Sequence, residues 1–525
     1  MKRYQAIILY VLFFLIMTAT ISMKKNYHID EMLSYGLSNN RGNIKMEIVD
    51  GEKYNPTVLY ADYLTADEND RFSYDIVWEN QENDVHPPLY YAILHTICSL
   101  FPGVFSRYFA GIINIVFALA TLYMIRKIIP FFVENKIYKE LLSVAFILSA
   151  GILSAVSFFR MYIMAMCWVT VLVYLYIREV ERKQFRTQFF VATYVVTLLG
   201  ALTHYYCIVF AVLISIVYSI YLLVHKMWKK VIAFCVSMGA AGLSAYLIFP
   251  AMIKHMFSGY RGKEAIASLG NLGDFWDSTK AYFDILNNQM FGGILGCVLM
   301  ALVFYSLFVI MKRNMRQIEC FSDCDNKIVQ KYELVRYSLI GIPAIMYFLI
   351  VSKMAPYQTD RYMMPIYAIA FVGLFCLIIR IVEPHLTKSG VIIFVCIILG
   401  IVTVGSWSNI QWSYLYTNSQ TFLEKTANYN DVECICVYQG SWQIPSQFLE
   451  AQQYQSITFV SKENQEMIDD LEANYKDSKL VLMVVGDADD DKYISEFLEK
   501  SEVMNKSKYI GGFAYGKSYY LYEEE

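Results

Sequence analysis

Apolar runs of the length that one membrane crossing requires recur along this chain, and they limit its fold more than any other feature. About 20 consecutive apolar residues allow a helix to span a bilayer. Such runs lie at 5–23, 104–125, 141–158, 161–177, 188–203, 205–225, 231–252, 291–311, 334–352, 363–382 and 389–408. Charged residues make up only 17% of the chain, against about 25% in soluble domains. The sequence therefore predicts an α-helical polytopic membrane protein, with about eleven transmembrane helices.

Charge is distributed unevenly between the two sides of these runs. Lysine and arginine accumulate in alternate loops, which places those loops in the cytoplasm; examples are Arg126, Lys127, Arg178, Arg182, Lys229 and Lys230. Residues 24–86, on the other side, hold thirteen Asp and Glu against six Lys and Arg. We therefore expect a multi-pass plasma-membrane protein whose N-terminus is cytoplasmic and whose C-terminal domain is extracytoplasmic.

The bulk composition also limits the partners. The net charge is −3, so the chain has no basic surplus that would indicate binding to nucleic acid. Most of the eleven cysteines lie inside apolar runs, which is typical of small core residues and not of a disulfide framework. The membrane body has neither a phosphate-binding glycine loop nor a dinucleotide-binding fingerprint.

Four regions follow from this pattern. Residues 1–23 form a retained transmembrane anchor, since no cleavage site follows the apolar run. Residues 24–103 form an acidic outer loop ending in a juxtamembrane helix, which Pro87 and Pro88 are suited to start. A transmembrane body covers 104–408 and includes an outer loop at 253–290. The polar tail, 409–525, alternates short apolar strands with helical segments, which predicts a small extracytoplasmic α/β domain.

Ionisable residues close to the membrane gather on the outer side. Placing a charge close to the hydrocarbon of the membrane costs free energy, which makes these residues functional candidates. Asp30 and Glu31 follow the anchor, Asp84 and His86 precede the prolines, and Arg160 and His204 each occupy a short outer turn. His255 follows one later span, and Arg361 precedes another. We expect these residues to converge on one site that faces the outer leaflet.

Each of these residues also has an ordinary structural explanation. Arg160 and Arg361 could be cations that extend to the interface along their aliphatic stems. His204 could be a hydrogen-bonded helix-end histidine, and the nearby tyrosines an interfacial aromatic belt. Asp84 could simply cap a helix. These explanations account poorly for two very short turns on the same side that each contain a titratable residue.

A carboxylate beside cations at a lipid surface suits a particular chemistry. Cations would hold a lipid-linked phosphate as leaving group through charge-assisted hydrogen bonds. The carboxylate would act as general base on an incoming hydroxyl.

The motifs that carry these residues resemble one superfamily. "HIDE" after the first helix, "DVHPPLYYAILH", "RMY" at the start of a span, "LTHYY" and "DRYMMP" together are similar to the GT-C polyprenyl-phosphate-sugar glycosyltransferases, in particular the protein O-mannosyltransferase and aminoarabinose transferase group. The resemblance covers about residues 1–408 and is most specific at "DE" and at the proline segment. It leaves out the C-terminal domain.

The resemblance implies roles for individual residues. Asp30 and the adjoining Glu31 would be the catalytic residues, with Asp30 as the carboxylate base, and Arg160 and Arg361 would face the donor phosphate. The remaining donor or substrate contacts would come from Asp84, His86, Tyr162, His204 and Tyr362. Some relatives bind a divalent cation near the proline segment, for which Asp84, His86 and His255 are the candidates here. Arg160 departs from the aminoarabinose transferases, which have an acidic residue in that turn, and this puts a second catalytic carboxylate in doubt.

The expected function is transfer of a sugar from a polyprenyl-phosphate donor, with inversion, to a lipid, wall-polymer or protein acceptor at the outer face of the plasma membrane. No cofactor is required by the motifs, and a divalent cation stays open. The alternatives are a transporter or flippase for a lipid-linked or polar solute, and a non-catalytic scaffold for a surface polymer. Transporters usually hold charges near the bilayer midplane in repeated halves, whereas these charges lie at one face and no repeat is visible.

Overall fold

The computed structural model describes residues 2–42, 44–182, 185–270, 273–315, 324–409, 414–476, 478–487 and 489–524. The helices of the first four-fifths of the chain are α1 (Lys2–Ser22), α2 (Ile29–Asn39), α3 (Pro56–Leu64), α4 (Tyr74–Asn83), α5 (Leu89–Leu100), α6 (Arg107–Ile128), α7 (Lys136–Ile147), α8 (Ala150–Ser157), α9 (Tyr162–Val180), α10 (Thr187–Thr203), α11 (Tyr205–Val224), α12 (Trp228–Ile248), α13 (Ala251–Ile253), α14 (Tyr260–Gly270), α15 (Phe275–Phe291), α16 (Leu295–Met315), α17 (Cys324–Met354), α18 (Tyr367–Val382) and α19 (Lys388–Asn409). The polytopic helical fold class is confirmed.

By length and composition, seven helices of the described chain can cross a membrane, or nine if each of two bent helix pairs counts as one span. The seven are Arg107–Phe131, Tyr162–Val180, Tyr205–Val224, Trp228–Ile248, Tyr332–Met354, Met364–Val382 and Lys388–Ser408. Two further runs expected to span form shorter apolar helices, Ala6–Ser22 and Thr187–Thr203. The chain is therefore a multi-pass membrane protein, and the expected count of eleven stays a prediction.

The two bent pairs are the main departure from a simple bundle. Lys136–Ile147 meets Ala150–Ser157 at 50°, and Phe275–Phe291 meets Leu295–Val309 at 95°. Gly292 lies at the second break with φ 60°, a left-handed conformation in which a side chain is disfavoured. A Cβ atom there would also lie 2.5 Å from the backbone oxygen of Val402 in α19. The segment 253–290, expected as an outer loop, is helical over most of its length, and Tyr282 and Met290 are buried.

The acidic segment after α1 folds into a small helical layer. α5 begins directly after Pro88, as the proline pair predicted. α2 packs against α3, α4 and α5. Buried Asn39 donates from Nδ2 to the backbone oxygen of Leu64 (2.9 Å), which fixes the end of α2. This helical layer fixes the position of α2.

The C-terminal part forms the expected α/β domain. Its strands are β2 (Glu433–Tyr438), β3 (Ser456–Ser461), β4 (Leu480–Val485), β5 (Lys506–Phe513) and β6 (Gly516–Tyr522), and its helices are α20 (Ser419–Thr426), α21 (Phe448–Ala451), α22 (Gln465–Asn474) and α23 (Asp490–Lys500). With β1 (Lys53–Tyr54) at one edge, the sheet order is β1-β3-β2-β4-β6-β5, in which β2, β3 and β4 are parallel and β5 and β6 form a hairpin. The unexpected edge strand β1 (Lys53–Tyr54) comes from the acidic segment and pairs antiparallel with β3.

Candidate active site

The N-terminus of α2 positions Asp30. His28 is the N-cap residue, and its Nδ1 accepts a hydrogen bond from the backbone N–H of Asp30 (3.1 Å). Glu31 completes a capping box by accepting from the backbone N–H of His28 (2.6 Å). Burial lowers the pKa of His28 to about 4, so its ring is neutral at pH 7. Asp30 is thus held in the first turn, where the helix dipole favours a carboxylate.

Arg361 forms an ion pair with the Asp30 carboxylate, through Nη1 and Oδ2. The two side chains are far apart in sequence but only 11% and 24% exposed, respectively. Burial alone would raise the pKa of Asp30, but Arg361 and then Arg160 more than offset this and hold the pKa well below its usual range. Asp30 is therefore ionised across the physiological pH range.

Arg160, in the turn between α8 and α9, connects the elements around Asp30. Its Nη1 donates to the Asp30 backbone oxygen (3.1 Å), to Ser34 Oγ (2.9 Å) and to Tyr91 Oη (3.0 Å). Its Nη2 donates to His86 Nε2 (3.2 Å). The side chain is buried, so these bonds join α2 and α5 through one guanidinium.

His86 passes this contact on to Asp84. Because a guanidinium only donates, Nε2 of His86 must accept, and its Nδ1–H donates to Asp84 Oδ2 (2.7 Å). Burial lowers the pKa of His86, which agrees with a neutral ring. Asp84 and His86 therefore share one network with Arg160 and the main chain of Asp30.

Both arginines keep one buried donor free. The Nε atoms of Arg160 and Arg361 are buried and have no hydrogen-bond partner. A buried N–H of this kind is costly unless something completes its bonding. Two cationic forks with unused donors beside one carboxylate form a place for a further anion.

Glu31 has a different environment from Asp30. Its carboxylate is fully buried, forms an ion pair with buried Lys24 (2.9 Å) and accepts from the backbone N–H of Phe159 (2.7 Å). Lys24 also donates to the backbone oxygen of Ser157 (3.2 Å). These partners use both carboxylate oxygens, so Glu31 connects α2 to the turn that carries Arg160.

Aromatic rings line the space beside Arg361. Tyr162 lies 5.3 Å from the His204 ring and 6.3 Å from the Tyr362 ring, measured between centroids. The Arg361 guanidinium lies 5.1 Å from the Tyr362 ring centre. His204 caps α11 by accepting from the backbone N–H of Tyr206 (3.1 Å), as its helix-end position suggested. All of the predicted donor-binding residues therefore belong to one continuous cluster.

His255 is the exception among the residues singled out from the sequence. Its Nδ1 pairs with Tyr205 Oη (2.8 Å) and its Nε2 with the backbone oxygen of Glu82 (3.2 Å). Within the described ranges, no three His, Cys, Asp or Glu side chains lie together as metal ligands. Asp84 and His86 pair with each other, so this arrangement does not fit a three-ligand cation site.

Two side chains that support the site, Tyr414 and Gln289, were not predicted. Asp360 accepts hydrogen bonds from Tyr414 Oη (2.6 Å) and from Gln289 Nε2 (2.9 Å), which fixes the turn that carries Arg361. Tyr414 also stacks on Phe158, with 4.0 Å between ring centres. Tyr414 lies beyond the last membrane helix and Gln289 within a segment predicted as a loop. No local pattern in the sequence marks either residue.

Comparison with solved structures identifies the architecture. A crystal structure of ArnT from Cupriavidus metallidurans bound to undecaprenyl phosphate matches with a TM-score of 0.53 and 10% identity, covering 99% of this chain and 98% of that one. The apo state of the same protein matches with a TM-score of 0.54 and 9% identity over the same shares of both chains. The chain has the fold of ArnT. No protein-family model and no curated protein sequence matches it.

The match to ArnT extends through the C-terminal α/β domain, because it covers 99% of the chain. The resemblance drawn from sequence motifs ended near residue 408. The chain therefore shares the ArnT fold over its whole length, including the C-terminal domain that the motif resemblance did not cover.

Proposed function

We propose that the protein transfers a sugar from a polyprenyl-phosphate donor to an acceptor hydroxyl at the outer face of the membrane, with inversion at the anomeric carbon. The observation that carries this proposal is the Asp30 carboxylate paired with Arg361 beside buried Arg160, since each arginine has a buried Nε–H without a hydrogen-bond partner. The ArnT-like fold supports the donor class, since one matching ArnT structure contains undecaprenyl phosphate.

The arginines are the donor side of the site. The phosphate diester of the donor would accept hydrogen bonds from Arg361 and Arg160, including the two Nε–H groups that lack partners. Planar guanidinium forks match phosphate oxygens in charge and geometry. As the bond between the sugar and the phosphate breaks, the departing polyprenyl phosphate gains negative charge, which the same two cations stabilise.

Donor binding also prepares Asp30 to act as a base. While Arg361 is paired with Asp30, the lowered pKa makes the carboxylate a weak proton acceptor. A phosphate that takes over part of Arg361 reduces this effect, so the proton affinity of Asp30 rises when the donor is present. Asp30 then accepts the proton of the acceptor hydroxyl while the hydroxyl oxygen attacks the anomeric carbon.

We infer inversion from the partners of the carboxylates at the site. A double displacement needs a carboxylate nucleophile in addition to the acid or base. Glu31 is paired with Lys24, Asp84 with His86, and Asp360 with Tyr414 and Gln289. Of these four carboxylates, Asp30 is the one paired with an arginine that the donor phosphate would also contact, so a single displacement with Asp30 as base fits the arrangement.

Analysis of lipid-linked sugars and surface glycans tests the proposal. In a strain that lacks the gene, we expect a polyprenyl-phosphate sugar to accumulate and one sugar to disappear from a surface glycan, both detected by mass spectrometry. The wild-type gene should restore the pattern and Asp30→Asn should not. Unchanged lipid-linked sugars together with an impaired distribution of a lipid between leaflets would favour a flippase instead.

A further inference from the structure

The C-terminal sheet has a topological switch point between the parallel strands β2 and β4. From β2 the chain passes to β3 on one side and then returns to β4 on the other side of β2. The loops after Tyr438 and after Val485 therefore diverge from neighbouring parallel strands. In open α/β sheets, ligands bind in the crevice at the carboxyl ends of strands at such a point.

Two glycines let neighbouring side chains pack directly against the backbone at the base of this crevice. Gly486 has φ 96°, and a Cβ atom there would lie 2.8 Å from Gln443 Oε1. A Cβ on Gly440, across the crevice, would lie 3.5 Å from the same oxygen. Gln439 Oε1 accepts from the backbone N–H of Asp487 (2.7 Å), which joins the two loops at the base. The amide oxygen of Gln443 thus lies between the two glycines.

Gln443 has an unused acceptor at this point. Its side chain is 7% exposed and its Oε1 has no hydrogen-bond partner. A buried acceptor without a partner is destabilising, and native structures contain few of them. A ligand with an O–H or N–H group in the crevice would satisfy it.

An exposed aromatic pair forms the rim. Trp442 and Tyr515 are 40% and 41% exposed, and their ring centres lie 5.3 Å apart at 70°. The backbone N–H of Gly486 donates to the backbone oxygen of Tyr515 (2.9 Å), which holds the β5–β6 turn against the crevice. Aromatic faces above a buried hydroxyl acceptor suit a sugar ring, which has apolar C–H faces and hydroxyl groups at its edge.

The crevice lies on the side of the domain that contacts the catalytic helix. The 3₁₀ helix Ser441–Gln447 packs against α2, and buried Tyr60 donates from Oη to the backbone oxygen of Ile444 (3.0 Å). Burial raises the pKa of Tyr515, and the nearby charge of Asp30 adds to this effect. The 3₁₀ helix that carries Trp442 and Gln443 therefore lies against the helix whose first turn holds the proposed base.

We propose that this crevice binds a sugar ring of the acceptor, with a hydroxyl donating to Gln443 Oε1 and the ring against Trp442 and Tyr515. The acceptor role rests on the proposed transferase function, whereas saccharide binding does not. The acceptor of this protein is accordingly a saccharide-containing molecule and not an unglycosylated peptide.

Saccharide binding to the full-length protein in nanodiscs tests the proposal. The probes are maltotriose, mannotriose and tri-N-acetylchitotriose, measured by saturation-transfer-difference NMR. We expect at least one to bind the wild type, and Trp442→Ala and Gln443→Met each to weaken it about tenfold. Trp228→Ala, a tryptophan that is exposed at the start of α12, is the matched control and should bind normally.

Gln443→Met also separates binding from folding. Removing an unsatisfied buried acceptor should leave the thermal midpoint unchanged or higher, so a loss of binding cannot be attributed to unfolding. If no probe binds the wild type, or if Trp442→Ala and Gln443→Met bind as well as it does, the saccharide site is wrong.

A parallel measurement of undecaprenyl phosphate binding separates this inference from the proposed function. Saccharide binding that depends on Trp442, without any binding of the lipid phosphate, would retain the crevice and reject the transferase proposal. Lipid phosphate binding with no loss of saccharide binding in the crevice variants would do the reverse.

Discussion

Variants of Arg160 and Arg361 test whether these side chains bind a phosphate or serve only as structural cations. If they hold the donor, changing either to alanine removes a charge-assisted bond worth about 1.5–3 kcal/mol, which weakens binding about ten- to hundredfold. Binding of undecaprenyl phosphate to the purified protein in nanodiscs measures this. Lysine at either position should restore only part of the affinity, because the planar fork is lost.

Lys280→Ala is the control for both arginine variants, since Lys280 is an exposed cation on α15. Arg160 also bonds to Ser34 and Tyr91, so its variant should lower the thermal midpoint more than Arg361→Ala does. Normal lipid phosphate binding in both alanine variants would leave Arg160 and Arg361 as interfacial cations only.

Glu31 and Lys24 should affect stability more than chemistry. Both side chains are fully buried, and removal of one partner from a buried pair costs about 3–5 kcal/mol. We therefore expect Glu31→Gln to lower the thermal midpoint strongly, and Lys24→Met added to it to recover much of the loss. Glu68→Gln, in an exposed pair with Arg71, should change little.

A wild-type thermal midpoint for Glu31→Gln together with loss of sugar transfer would contradict this assignment. It would indicate that Glu31 takes part directly in the reaction. The sequence put both neighbouring carboxylates in the catalytic group because nothing in "HIDE" separates them. The separation depends on Lys24 and on the backbone N–H of Phe159, which is distant in sequence.

Among the elements, local rules predicted those whose cause is local. The prolines at 87 and 88 start α5, and the alternating apolar segments of the tail form strands β2 to β6. The hydropathy of the sequence could not reveal the 95° bend between α15 and α16, because it depends on residue composition and not on the direction of a helix axis. "FGGILG" was the available signal, since Gly292 and Gly293 both have positive φ there.

The edge strand β1 gives an element-level prediction. Asp50, just before it, accepts hydrogen bonds from Tyr438 Oη (3.0 Å), the backbone N–H of Ser461 (3.1 Å) and Asn464 Nδ2 (3.0 Å). Each bond to a charged group contributes about 1.5–3 kcal/mol. Asp50→Ala should therefore release β1, seen as faster hydrogen–deuterium exchange at residues 48–55.

Asp470→Ala is the matched change on the same domain, because Asp470 is exposed on α22. It should leave exchange at residues 48–55 as in the wild type. Equal exchange in the wild type and Asp50→Ala would mean that the β1–β3 pairing alone secures this edge.

For the whole molecule, the sequence predicted which residues converge on the site better than it predicted their contacts. Asp30, His86, Arg160, His204 and Arg361 lie in one cluster, as the shared side of their loops suggested. Orientation in the membrane stays a prediction. Cysteines introduced at 45, 276 and 470, in a background without exposed native cysteines, should react with an impermeant maleimide on intact cells.

A cysteine at 136 should react only after lysis, because Lys136 begins α7 on the side where cations accumulate. Labelling at 136 in intact cells, or protection at 470, would place the C-terminal domain and the Asp30 site on different sides from those proposed.

Transfer by an Asp30→Asn variant tests the central claim most directly. Asparagine keeps the size of the side chain but cannot accept a proton, and a positioned general base contributes about 10²–10⁴-fold to the rate. With the lipid-linked sugar purified from the gene-deletion strain, we expect Asp30→Asn to slow transfer by that factor while its thermal midpoint stays near normal. Asp470→Asn should transfer at the wild-type rate. Wild-type transfer by Asp30→Asn would contradict the account.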